Sequence, residues 1–225
     1  MLLRLRPHFD TVKIDCYIAY MALDSSQLNN HSTYHHGNLR QTLLLAAADL
    51  IAQNGIEALS LRKLADRVGV SRTAAYHYFQ DKNDLLCAIA ANGFSRWQNS
   101  LDQIHCNQMS EKAKFEQYIL GYMAFATNNE EEYELMFSRC IWKQSNCTQE
   151  LQDISHASFQ RQVLMIGHWQ SIGLVDGDNP VRTAQVIWGT LHGIAKLFID
   201  GVYTDVTRVE EIVMRALPMF LATKE

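Results

Sequence analysis

The sequence predicts an all-α fold: an N-terminal three-helix helix-turn-helix module followed by a larger helical domain. Three observations predict it. Beyond residue 38, apolar residues recur at spacings of three and four, and long strand-like alternations are absent. Three prolines and eleven glycines are few for a β protein of 225 residues. Hydrophobic residues make up 48% of the chain, enough for a substantial core and too many for a disordered polymer.

Residues 1–33 have no clean helical period and end in the polar run from Ser25 to Thr33, so they read as a loosely ordered arm. Met21 is an alternative start that leaves an arm of ordinary length. Residues 12–23 are fairly apolar, but Lys13 and Asp15 interrupt them and no uncharged span of membrane length follows. A first helix is expected from about Asn38 to Asn54, with Leu39, Leu43, Ala46, Ala47, Leu50 and Ile51 as its apolar stripe. Asn54-Gly55 ends it, glycine being suited to the position beyond the last turn.

From Ser60 to Lys82 the chain reads as two short helices joined by a tight turn. Leu61, Leu64, Ala65 and Val68 form one buried stripe, and Ala65 is small enough to let the second helix approach. Gly69 stands where the turn needs positive φ. Val70 fills the angle between the helices, and Ser71 can cap the second by accepting a backbone N–H. In that second helix Ala75 and Phe79 face inward. Arg72, Thr73, Tyr76 and His77 are left outside, a set of hydrogen-bonding groups suited to a DNA major groove.

A fourth helix begins near Lys82 and runs through Leu85, Leu86, Ile89, Ala90 and Phe94 to about Ile104, linking the module mechanically to the rest of the chain. Further helical patterns follow at roughly 111–127, 130–143, 149–172, 179–200 and 205–223, with Pro218 kinking or ending the last. The expected division is an arm at 1–33, a helix-turn-helix domain at 34–86 and a larger helical domain at 87–225.

The formal net charge of −4 at first argues against a nucleic-acid partner. Divided, it does not: residues 35–86 carry six Lys/Arg against five Asp/Glu, a net of +1, and residues 87–225 carry eleven against sixteen, a net of −5. Phosphate would be repelled by the bulk of the chain and tolerated by the helix-turn-helix. The five cysteines (16, 87, 106, 140 and 147) are odd in number and form no C-x-x-C pair. That speaks against a disulfide framework or a zinc site and for reduced thiols in a cytoplasm. No Gly-rich phosphate loop, G-x-S-x-G or H-E-x-x-H occurs, so no catalytic constellation is expected.

The order of these parts resembles the TetR family of regulators. The resemblance is carried by Tyr-His-His-Gly-Asn-Leu-Arg (34–40), Leu-Ile-Ala-Gln-Asn-Gly-Ile-Glu-Ala-Leu-Ser-Leu-Arg-Lys-Leu-Ala (50–65), Val-Gly-Val-Ser (68–71) and Tyr-His-Tyr-Phe-Gln-Asp-Lys-Asn-Asp-Leu-Leu (76–86). It is specific in the first third of the chain. Two later features resemble a subgroup with a "WHG" C-terminal domain: Tyr122-x-x-Phe125-Ala126 with Leu135-Met136-Phe137, and Trp188-Gly-Thr-Leu-His192-Gly193. Glu130-Glu131-Glu132 stands where that subgroup commonly has a proline.

The resemblance implies a DNA-binding regulator, a repressor released from a palindromic double-stranded operator by a small-molecule effector, homodimeric, without cofactor, metal or membrane partner. The alternative is a DNA-binding architectural or protein-interaction factor with no effector. A filled core would favour that alternative; an aromatic cavity with an entrance would favour the sensor.

Arg62, Ser71, Arg72, Thr73, Ala74, Tyr76, His77 and Lys82 are the expected DNA-binding residues. Thr73 and Arg72, at the helix start, reach toward base edges, Tyr76 contacts phosphate or base, and Arg62 does either. Lys82 joins the free N–H groups at the start of the fourth helix in binding one phosphate. Tyr122, Phe125, Phe137, Trp142, His168 and Trp169 supply large apolar surface with polar tips, either ordinary core or the wall of an effector cavity. That composition, without a basic cluster over 118–169, implies a largely apolar or aromatic effector.

Trp188, Gly189, His192 and Gly193 read as a close-packing helix face, with a ligand-binding His192 as the alternative. Together with Ile212 and Phe220 on the last helix they are the expected dimer contacts. Glu130 to Glu134 reads as a solvated helix start. His35 and His36, with His31 nearby, read as an arm that touches DNA backbone and not as a metal site.

Overall fold

The computed structural model describes residues 39–143, 146–205 and 208–223. The arm, Met21, His31, His35 and His36 lie outside these residues. The described residues form ten α-helices, with two short 3-10 turns and one isolated antiparallel bridge, Val175 to Leu221.

The first helix, α1 (Leu39–Asn54), buries Leu43, Leu44, Ala47 and Ile51. A 3-10 turn at Ile56–Ala58 leads to α2 (Leu61–Val68), whose cap Ser60 accepts the Lys63 N–H. Gly69 closes α2 in the left-handed region at φ 75°, a conformation that would strain any residue with a Cβ. Ser71 caps α3 (Arg72–Tyr78) by accepting the Ala74 N–H. Leu61, Leu64, Ala65, Ala75 and Phe79 are buried, as the sequence pattern requires, while Val68 and Val70 are half-buried.

The long helix α4 (Lys82–Cys106) has 25 residues, about 37 Å at 1.5 Å per residue. It packs on α1 at one end, then on α5 (Glu111–Asn128), α6 (Glu130–Met136) and α8 (Gln149–Ser171). Gly93 permits the approach of α6: a Cβ there would lie 2.6 Å from Met136 Sδ. The helix expected over 130–143 is instead two, α6 and the one-turn α7 (Arg139–Trp142), broken at Phe137–Ser138. The break lets the Trp142 indole N–H donate to the Met136 carbonyl at 2.7 Å.

Two further helices complete the domain, α9 (Pro180–Ile199) and α10 (Val209–Ala216). Pro218 ends α10 in a 3-10 turn, Leu217–Met219, so this helix is shorter than its apolar pattern suggested. Glu132 departs from the expected solvated run. It is buried, and its carboxylate takes a 2.6 Å bond from Arg96 on α4, because the third residue of α6 turns toward the core. Glu134 pairs with Lys196 on α9.

Candidate functional site

Two features stand out, one beside the start of α4 and one along its middle. The first is the outer arc of α3. Ser71, Arg72, Thr73, Tyr76 and His77 are exposed, Ala74 is half-buried, and Arg62 is exposed at the start of α2. Tyr76 is 53% exposed, far more than a tyrosine needs for structure.

The neighbouring cations are already engaged. Lys63 donates to the Ala58 carbonyl and Arg67 to the Gln53 side chain. Among the described residues Arg62, Arg72, Thr73 and Tyr76 make no such side-chain bond, and the His77 ring meets that of Tyr78. The polar atoms of Arg62, Arg72, Thr73 and Tyr76 therefore keep their bonding capacity for a partner, while the Ser71 hydroxyl is already engaged as a cap.

Lys82 is placed differently from the expectation. It is half-buried, and its ammonium donates to the Ile56 carbonyl at 2.8 Å, fastening the 3-10 turn to the start of α4. At the same helix end the Asp81 carboxylate accepts the Asp84 N–H at 2.8 Å. Asp84 in turn accepts the Gln80 N–H at 2.9 Å. Two carboxylates thus hold part of the N-terminus that the sequence assigned to a phosphate.

The second feature is a cavity of about 530 Å³ between α4, α5, α6, α7, α8 and α9, within the span of small-molecule sites. Tyr122, Phe125, Phe137 and Trp142 line it, as the composition suggested. His168 and Trp169 do not. The Trp169 indole donates to Glu111 at 3.0 Å and packs on Phe115 and Tyr118, and His168 lies 3.3 Å from the same carboxylate. Lys114, and with it Trp169 and His168, holds the Glu111 carboxyl below its ordinary range. The reason for the correction is helical phase and length. On α8 the lining residues Gln152, Ser155, Phe159 and Gln162 follow a spacing of three and four, and the cavity has ended before residue 168.

Sequence reasoning missed Phe94 and Trp97 on α4, Tyr133 on α6, and Ser158, Phe159 and Gln162 on α8. The signal for the last group was available. Small polar residues placed one turn apart on an inward helix face leave room and hydrogen-bonding groups that a packed core does not need. Two cations, Arg139 and Lys143, also line the cavity, and both are exposed, at its mouth.

Trp188 and His192 depart from their expected place at a dimer face. Trp188 lines the cavity and its indole donates to the Tyr122 hydroxyl at 2.9 Å. That hydroxyl lies 2.7 Å from the Tyr133 hydroxyl, which lies 2.7 Å from His192 Nδ1. An indole N–H can only donate, so Tyr122 accepts from Trp188, and the arrangement that satisfies every group has the Tyr122 O–H donating to Tyr133. Tyr133 then donates to Nδ1, leaving His192 neutral with its proton on Nε2.

Burial raises Tyr122 and Tyr133 above the ordinary phenol range, and burial followed by the Lys196 charge pushes His192 down. Phe220 is likewise in the protomer's own core and Ile212 is half-buried. Gly189 and Gly193 remain outside, with open space where a Cβ would stand. Among the described residues no group of three His, Cys, Asp or Glu side chains is placed to hold a metal ion.

Comparison with known proteins agrees with this arrangement. Residues 43–89 match the family described as bacterial regulatory proteins, tetR family. Residues 115–220 match a tetracyclin repressor-like C-terminal domain. The HTH-type transcriptional regulator AcrR of Shigella flexneri is 27% identical over 169 residues, covering 69% of this chain and 75% of AcrR. A solved protein of unknown function from Rhodococcus sp. RHA1 is 31% identical with a TM-score of 0.73, over 86% of this chain and 100% of that one. A SmeT–triclosan complex shares the fold at 20% identity and a TM-score of 0.58, over 80% of this chain and 88% of SmeT.

Proposed function

The chain belongs to the TetR family of bacterial regulators, and from that premise we propose that it is a homodimeric, cytoplasmic repressor released from its operator by a small organic effector. As a member of that family it is a DNA-binding transcriptional regulator and not an enzyme. Among the described residues no helix is long and apolar enough to cross a membrane.

One observation carries the release mechanism. The helix that starts beside α3 at Lys82 forms the cavity wall at Phe94 and Trp97. Fifteen residues separate Lys82 from Trp97, about 22 Å of helix. An effector that favours a different tilt of α4 would move the two α3 helices of a dimer off the spacing of successive major grooves. A cavity of about 530 Å³ with an exposed mouth also supports the sensor over an architectural factor with a filled core.

At the DNA, Arg72, Thr73 and Ala74 stand at the start of α3, where base edges are read, with His77 one turn on. Tyr76, Ser71, Arg62 and the two remaining donors of Lys82 serve the backbone. For the dimer, α8 and α9 offer the better face: Leu164 is 66% and Val186 61% exposed, and Gly189 and Gly193 let a second copy approach.

Selection from a random DNA pool tests the reading. The expected product is a palindrome with half-sites about 34–36 Å apart. Tyr76→Phe should then weaken binding almost uniformly across sequences, while Thr73→Ala and Arg72→Ala change the preferred base. A pool that shows no enrichment, or a protein that sediments only as monomer with and without the selected DNA, would overturn the proposal.

A further inference from the structure

Among the described residues four buried side-chain polar atoms have no hydrogen-bond partner, and two of them belong to side chains that line the cavity: Trp97 Nε1 on α4 and Ser158 Oγ on α8. Trp97 is 2% exposed and Ser158 1%, so solvent outside the cavity does not serve them. A buried donor left unmade costs a native protein stability, and such groups are few. The other two, Gln117 Oε1 and Arg161 Nε, belong to side chains outside the lining, and the tyrosines and Gln162 of the lining are engaged. Tyr122 and Tyr133 bond each other within the chain that runs from Trp188 to His192. Gln162 accepts from Tyr118 at 3.0 Å. Left in the lining are one indole N–H and one hydroxyl, each able to donate to an acceptor oxygen.

At the other end the lining contains two cations, Arg139 and Lys143, and no carboxylate. Among the described residues neither cation has an ion-pair partner. Between the two ends the walls are rings, chiefly Phe94, Phe125, Phe137, Phe159 and Trp188.

Building on the reading of this cavity as the effector site, we propose that its ligand is an aromatic carboxylic acid with a carbonyl oxygen in its interior. The carbonyl is held by Trp97 Nε1–H and Ser158 Oγ–H, the rings lie among the phenylalanines, and the carboxylate meets Arg139 and Lys143 at the mouth. Such a ligand satisfies both orphaned donors without placing a charge in the interior, where desolvation would oppose it. It also gives the two mouth cations the anion they lack.

The test uses one two-ring scaffold with each polar feature removed in turn: 4-benzoylbenzoate, 4-benzylbenzoate without the ketone, and benzophenone without the carboxylate. Isothermal titration of the full chain should give 4-benzoylbenzoate the tightest binding, by about tenfold over 4-benzylbenzoate. The advantage over benzophenone should be about fivefold, since the mouth cations are exposed and solvent-screened. Ser158→Ala should erase most of the ketone ratio and leave the carboxylate ratio. Because its hydroxyl bonds nothing in the free protein, this variant should fold as the parent does. Trp97→Phe provides the same readout from the other side of the oxygen. Arg139→Gln with Lys143→Gln should do the reverse, erasing the carboxylate ratio alone.

Equal affinity for the three probes, no binding by any of them, or ratios that these variants leave unchanged would overturn the ligand class. The release reading fails separately: it falls if 4-benzoylbenzoate, or any ligand saturating the cavity, leaves operator affinity unchanged, whatever the ratios.

Discussion

Replacing Tyr133 with Phe removes a single oxygen from the middle of the chain Trp188–Tyr122–Tyr133–His192. Its rings and volume are kept, so packing against Phe137 and Tyr122 is unchanged and no void forms. What changes is bonding. Tyr122 accepts from Trp188 and has only Tyr133 to donate to, so its O–H is stranded. A stranded buried donor costs about 1–3 kcal/mol. The cavity reaches Tyr122, and water entering there recovers part of this, which places the loss at about 1.5 kcal/mol. His192 Nδ1 also loses its donor, but that ring is half-buried and solvent can reach it, so its share is small.

For a chain of this length the loss corresponds to a fall in melting temperature of about 3–6 °C. Urea unfolding followed by circular dichroism, at one fixed protein concentration because a dimer's stability depends on it, is the assay. Tyr76→Phe is the internal control, being exposed and unbonded. A second readout separates bonding from packing. The hydrogen bond from Tyr133 favours neutral His192, so its loss should raise the His192 titration midpoint, seen in the ring proton resonances. A loss of stability below about 0.5 kcal/mol together with an unmoved His192 midpoint would refute the assigned direction of the chain.

Three other perturbations have definite outcomes. His192 is depressed in the folded chain, so its contribution is complete above its unfolded value of about 6.5 and declines as pH falls below it. Tyr118, Tyr122 and Tyr133 are raised, so theirs is complete below about 10 and is lost as pH rises beyond it. Urea midpoints across that range should fall at both ends, and His192→Gln should flatten the acid side. Arg40→Ala breaks an exposed 3.0 Å pair with Glu150, which is worth at most about 1 kcal/mol, less in salt. A loss above 2 kcal/mol in 0.5 M salt would mean the pair is not the surface contact described. Gly189→Trp adds bulk where the protomer has open space, so helicity by circular dichroism should be kept while sedimentation shifts to monomer. Persistence of dimer at micromolar concentration would remove this face from the interface.

The helix-turn-helix was legible because its determinants are local. Ser60 and Ser71 cap within three residues, Gly69 takes its left-handed turn alone, and Ala75 and Phe79 are one turn apart. The bond from Lys82 was not legible because its partner, Ile56, is twenty-six residues away. The same holds for Glu132, whose run of acidic neighbours suggests solvent, while Arg96 on another helix draws it inside.

In α9, Ile187, Leu191, Ala195 and Phe198 form the buried stripe, and the flanking Trp188 and His192 fit either side of it by period alone. Only the hydroxyls of Tyr122 and Tyr133, brought from α5 and α6, decide which way those two rings turn. Aromatic composition identified four of the six expected cavity residues. Trp169 looks the same in sequence, but it sits beyond the end of the cavity, and composition carries no information about depth.

Three cavity-lining helices touch the DNA-reading module: α6 packs on α1, and magnitudes distinguish the roles of α8 and α4. Along α8, Glu150 holds Arg40 on α1 while Gln152, Ser155 and Phe159 line the cavity. That link is an exposed ion pair worth under about 1 kcal/mol, too little to transmit a coupling of 1–3 kcal/mol by itself. Along α4, Leu85, Leu86, Ile89 and Ala90 are buried between the module and the cavity, so the helix moves with its neighbours or not at all. A rotation of about 0.1 radian pivoting at Trp97 displaces Lys82 by about 2 Å over their 22 Å of separation. Lys82 is fastened to Ile56, which precedes α2, so that displacement is passed to the recognition helices instead of being lost in a loose turn. The bond that weakens Lys82 as a free phosphate ligand is thus the one that lets α4 act on the DNA-reading surface. Lys82→Ala should therefore reduce the effect of effector on operator affinity, and not only the affinity itself; equal reciprocal coupling in the variant and the parent would refute that role.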